Sequence, residues 1–98
     1  MKMLKEQKVI VQNESIEEVS NEGLEALLGQ TVTIFCMSYI YAGKLIGVNK
    51  TCIKLEDAHI VYETGAFSDK TFKDAQKLGS EFYVQMSAIE SFGFLKNL

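Results

Sequence analysis

The run "YIYAGKLIGVNKTCIKLEDA", Tyr39 to Ala58, constrains the fold more than any other part of this 98-residue chain. Most of its residues suit a strand, yet Gly43 and Gly47 stand four apart inside it. Glycine in a strand interior weakens the strand and marks a bulge, a sharp bend or a close backbone approach. The polar trio Asn49-Lys50-Thr51 makes the next turn, and Cys52–Glu63 returns as a long strand. Its alternation slips around Glu56-Asp57, as a bulge would make it do. A chain of one-domain length whose strands bend this hard must curl its sheet or leave long edges bare.

The neighbouring segments extend the pattern. "TVTIFCMS" alternates, with Val32, Ile34 and Cys36 on one side and Thr33, Phe35 and Met37 on the other, and a turn falls near Met37–Ser38. Before it, "SNEGLEALLG" predicts one short amphipathic α-helix. Ser20 or Asn21 would cap it, Leu24, Leu27 and Leu28 would share a face, and Gly29 would supply the left-handed stop. Residues 1–19, with Val9-Ile10-Val11 set among charges, read as an arm preceding a domain at 20–98. Thr64–Ser80 is polar and glycine-bounded and reads as a long variable loop, 64–80. "EFYVQM" is a fourth strand, "SA" a tight corner and "IESFGF" a fifth strand. The expected fold is therefore mainly β: an N-terminal α-helix followed by a strongly bent five-stranded antiparallel sheet that forms a small open barrel.

Charge narrows the function classes. Ten lysines, no arginine and 13 acids give a net charge of −3. Three of those lysines and six of the acids fall within residues 1–25, so the remainder is balanced. No basic stripe announces nucleic acid, and the side chain best suited to bidentate phosphate contacts is missing. Cys36 and Cys52 lie in strand-like runs with no secretory leader before them and read as buried, reduced thiols of a cytoplasmic domain. No apolar run approaches the roughly 20 residues of a membrane helix. His59 is the single histidine; "EDAH" sets Glu56 and Asp57 near it, but strand alternation sends adjacent side chains to opposite faces, and a metal site needs several converging ligands. No nucleophile–base pair or phosphate loop stands out, so no enzyme, cofactor or metal is expected.

Two segments carry a resemblance. "LGQTVTIF" followed by "GKLIGVNKTCIKLED", and later "EFYVQMSAIESF", resemble in order and spacing the two motifs of the Sm-like family, the LSm and Hfq-type proteins. The likeness covers about residues 20–94 and is to a divergent, bacterial or viral type of member. It implies the bent five-stranded sheet capped by a helix. It also implies pairing of the fourth strand with a neighbour's fifth, giving a homo-oligomeric ring of about five to seven subunits. Family members bind single-stranded RNA through pore-side loops. Those positions here are Asn49, Lys50 and Thr51 in the turn, and Gln85, Met86 and Ser87 at the corner. Asn49 stands where an acidic residue commonly begins the turn. On the opposite face Phe35 falls where Hfq-type proteins stack adenines, with Tyr39 and Tyr41 near it. Each set has a plain reading beside the functional one: a solvated turn, a structural corner, an aromatic packed on the helix or on a neighbour. The expected function is RNA binding by a ring; the other reading open at this stage is a ring that scaffolds protein partners.

Overall fold

The computed structural model describes the backbone of residues 8–11 and 14–17, and residues 22–98 in full. In the first part Lys8–Val11 (β1) pairs antiparallel with Glu14–Glu17 (β2). The rest of the expected arm, and the expected helix caps Ser20 and Asn21, lie outside the described residues.

The domain is one antiparallel sheet of five strands: Thr31–Cys36 (β3), Ile40–Val48 (β4), Cys52–Glu63 (β5), Asp74–Gln85 (β6) and Ile89–Gly93 (β7). Their order is β6-β5-β4-β3-β7, so β6 and β7 are the two edges. A 3-10 turn of three residues, Met86–Ala88, nevertheless joins them. Three residues reach about 10 Å at most, so the sheet must curl until its edges come near each other. It does not close, because β6 and β7 form no ladder.

The curl is made where the glycines are. Ala42 faces His59 and Lys44 faces Glu56, so β5 spends one residue more than β4 across that interval. The extra residue is accommodated at Asp57, whose φ of 52° is left-handed, a conformation aspartate tolerates better than most side chains. Gly43 lies opposite. A Cβ there would sit 3.0 Å from the Glu56 carbonyl oxygen, 3.2 Å from Leu55 Cβ and 3.3 Å from Ala58 Cα. A second shift falls between Leu45 and Gly47, this time with the additional residue on β4. Both glycines therefore mark bends, as their spacing suggests.

Inside the curl Val32, Ile34, Leu45, Ile53, Leu55, Ala58 and Val84 form the core, ringed by half-buried Leu24, Leu27, Tyr41, Phe82, Met86 and Ile89. One polar atom is out of place. Thr33 is fully buried, and its Oγ1 has no hydrogen-bond partner. Replacing a buried unsatisfied hydroxyl by a methyl removes a desolvation cost. Thr33→Val is expected to raise stability by about 1 kcal/mol in urea unfolding; a loss of similar size would mean that the hydroxyl is satisfied.

Two expectations need correction. The helix read from "SNEGLEALLG" is a single 3-10 turn, Leu24–Leu27, and no α-helix occurs among the described residues. Gly23 precedes the turn at φ 92° and Gly29 follows at φ 88°, so helical backbone cannot run through either end. Leu24 and Leu27 still reach the core, while Leu28 stays exposed. The loop expected at 64–80 is shorter, since β6 already begins at Asp74 and pairs Ala75 with Val61 and Gln76 with Ile60. "DAQKLG" has little strand propensity of its own. Cross-strand contacts supply what it lacks: Tyr62 Oη donates to Gln76 Oε1 at 3.2 Å, and Lys77 pairs with Asp57 at 3.3 Å. No helix of the described residues is long and apolar enough to cross a membrane.

Candidate nucleic-acid interface

The turn between β4 and β5 is organised by one side chain. Asn49 Oδ1 accepts from the Thr51 amide at 2.8 Å, the Thr51 hydroxyl at 3.0 Å and the Cys52 amide at 2.9 Å. The Asn49 amide donates in turn to the Cys52 carbonyl at 3.0 Å. Asparagine thus performs what an acidic residue would do at this position, accepting several donors on one oxygen. The consequence is that Asn49 and Thr51 spend their polar groups on the turn, and Lys50 is left pointing outward from its tip, exposed.

The corner between β6 and β7 is tied to this turn. The Met86 amide donates to the Thr51 carbonyl at 2.7 Å. Lys50, Thr51, Cys52, Gln85, Met86 and Ser87 consequently line one cavity of about 460 Å³. Five of the six residues singled out at these two loops from the sequence meet there, and Asn49 is hydrogen-bonded to two of the lining residues, Thr51 and Cys52. The groups on offer are one ammonium, one amide and the Ser87 hydroxyl, since the Thr51 hydroxyl already donates to Asn49, and no carboxylate is among them. That set suits an anion flanked by neutral hydrogen-bonding partners.

The sequence reading missed what lies beside it. A larger cleft of about 840 Å³ shares Lys50 and Met86 with the first and is also lined by Glu25 of the 3-10 turn and by Glu22, just before it. Two carboxylates therefore face the approach to the one lysine. Amphipathic spacing puts the leucines of that segment on one face, yet nothing in the sequence aims Glu22 and Glu25 at a loop more than twenty residues on. Lys54, the next lysine along β5, is engaged with Glu81 at 3.3 Å, and that hydrogen bond raises its pKa.

The second residue set is divided by the sheet. Phe35 faces Ile40 and Ile34 faces Tyr41, so Phe35 and Tyr41 project from opposite faces. Tyr39 and Tyr41 instead join two aromatics of β6 that the sequence reading passed over, Phe82 and Tyr83, in a cavity of about 320 Å³. Ring centroids are 6.3 Å apart for Tyr39–Tyr41 and 5.7 Å for Tyr41–Phe82, both tilted. No charged side chain lines it. Burial pushes the Cys36 thiol there up, and burial followed by the nearness of Cys36 and Tyr39 does the same to the Tyr41 phenol. Both are protonated at neutral pH, and neither is an activated nucleophile.

Among the described residues no group of three or more His, Cys, Asp or Glu side chains converges as a metal site would require. His59 Nδ1 lies 2.8 Å from the Asp57 carbonyl and serves the bulge. No protein-family model matches the chain, and no curated protein matches its sequence.

Proposed function

We propose that this chain is a ring-forming Sm-like protein of the cytoplasm that binds single-stranded RNA where the Asn49–Thr51 turn meets the Gln85–Ser87 corner. The observation that carries the reading is the Met86–Thr51 hydrogen bond, which joins two segments distant in sequence into one cavity with Lys50 in its lining. Ring assembly draws its support from the two unpaired edges, β6 and β7. Pairing one copy's β6 with the next copy's β7 is head-to-tail, so it closes into a ring or runs on as a fibre. A ring of about five to seven copies repeats Lys50 around its axis, which makes one lysine per chain a multivalent cation. On the other face the contact reduces to Tyr39 and Tyr41, since Phe35 projects elsewhere.

One observation favours the second reading, a ring that scaffolds protein partners. Glu22 and Glu25 line the cleft that Lys50 shares, and carboxylates repel phosphate. The two readings separate on one set of titrations. Lys50→Ala is expected to weaken oligo(U) affinity roughly tenfold at low salt and to flatten its salt dependence. Glu22→Gln with Glu25→Gln is expected to strengthen the same affinity. Native mass spectra should show oligomers near 55–77 kDa, five to seven times 11.0 kDa, carrying RNA mass. A ring that takes up no oligonucleotide, with or without the glutamates, moves the function to scaffolding; a monomer at every concentration removes both readings.

A further inference from the structure

At the other end of the β5–β6 hairpin the chain holds its own tail. Lys96 is only 7% exposed, an unusual burial for lysine. Its Nζ donates to three backbone carbonyls: Thr64, Ala66 at 2.7 Å and Thr71 at 3.3 Å. The Phe72 ring centroid is 5.6 Å away. Three acceptors match the three N–H donors of an ammonium, and the ring adds the negative face of its quadrupole. Among the described residues no carboxylate comes within ion-pair distance of Lys96. All of these partners belong to residues 64–73, the loop between β5 and β6. The backbone follows the side chain: the Asn97 amide donates to the Lys70 carbonyl at 3.2 Å, and Thr71 and Asn97 form a parallel bridge.

We propose that the 64–73 loop is a receptor for a primary alkylammonium group, filled in cis by Lys96, so that loop and tail close and release together as one unit. The loop closes on itself through few bonds, Asp69 N–H to Ala66 O at 3.0 Å and Lys73 N–H to Thr64 O at 3.4 Å. Two of its three converging carbonyls, those of Thr64 and Ala66, are the acceptors of these same bonds. Without a cation to gather them, carbonyl dipoles aimed at one point repel one another. The ammonium is what makes that loop conformation favourable. The loop and tail work independently of the RNA site proposed above, because that site lies at the opposite end of the hairpin formed by two strands of 12 residues each.

Hydrogen exchange on the full chain tests this. In Lys96→Met, which keeps the alkyl length and loses the charge, the Asp69, Lys73 and Asn97 amides are expected to lose about tenfold or more in protection. The Leu45 and Met86 amides should be unchanged. Unaltered protection in the loop, or a loss spread evenly over the core amides, overturns the proposal. In Lys96→Ala the atoms removed correspond to n-propylammonium, and adding that ion should restore loop protection where tetramethylammonium does not. Equal effects of the two ions overturn the receptor, since only the first can donate three hydrogen bonds.

Discussion

Gly43→Ala should lower stability by about 3 kcal/mol and the thermal midpoint by about 15 °C, the largest effect expected of any single added methyl here. Its Cβ would meet the Glu56 carbonyl oxygen at 3.0 Å, Leu55 Cβ at 3.2 Å and Ala58 Cα at 3.3 Å. Two of these atoms are backbone, and the third belongs to a fully buried side chain, so none can swing aside. Relief requires β5 to move off β4 at its bulge, which undoes the bend and pulls Leu55 and Ala58 from the core. Gly43→Val should leave no folded protein at 37 °C. Gly47→Ala is the control. Its Cβ would meet mainly Lys54 Cβ, at 3.3 Å and beside a flexible, part-exposed side chain, so the cost should stay below about 1 kcal/mol. Calorimetry of the three variants decides the matter, and a Gly43→Ala midpoint at or above wild type would remove the close approach.

Asn49→Ala comes next, at about 2 kcal/mol, because one oxygen holds three donors and each such bond is worth somewhat under 1 kcal/mol where water can replace it. Asn49→Asp should cost almost nothing, since a carboxylate accepts the same three donors with charge assistance. The pair separates the turn's geometry from its electrostatics. If both variants fold and the ring reading is right, Asn49→Ala should also weaken oligo(U) by loosening the turn that presents Lys50. Asn49→Asp would weaken it only through added negative charge, which salt screens. Urea unfolding and oligonucleotide titration at two salt concentrations give both quantities. Equal stability of Asn49→Ala and wild type would show that the turn does not depend on this side chain.

What the sequence revealed is what local chemistry dictates. The bounds of β4 and β5 follow from strand formers ended by Asn49-Lys50-Thr51, and the bulge at Asp57 follows from the slip in alternation. The turn and corner residues were found by resemblance, and their meeting in one cavity is a product of the curl. Elsewhere the fold overrode local preference. Leu24, Leu27 and Leu28 have helical spacing, but glycines at both ends leave room only for one 3-10 turn. Residues 74–79 have the composition of a loop and become strand because β5 extends far enough to pair with them. Glu22 and Glu25 beside Lys50, Phe82 and Tyr83 beside the tyrosines, and Lys96 in its cage are all long-range juxtapositions. No window of sequence contains both halves of any of them.

The place of β7 in the sheet also bears on folding order. Thr33 pairs with Gly93, some sixty residues further along the chain, whereas β3–β4, β4–β5 and β5–β6 are hairpins between neighbours. Closing a long loop costs more entropy than closing a short one, and that cost comes before the contacts that offset it. The three hairpins can therefore zip in succession while β7 waits, joining last and, having only five residues on one partner, detaching first. The shorter of the two open edges is then also the more labile. Any association through it would begin from a strand already breathing on and off its own sheet, with a rate set by that opening rather than by diffusion alone.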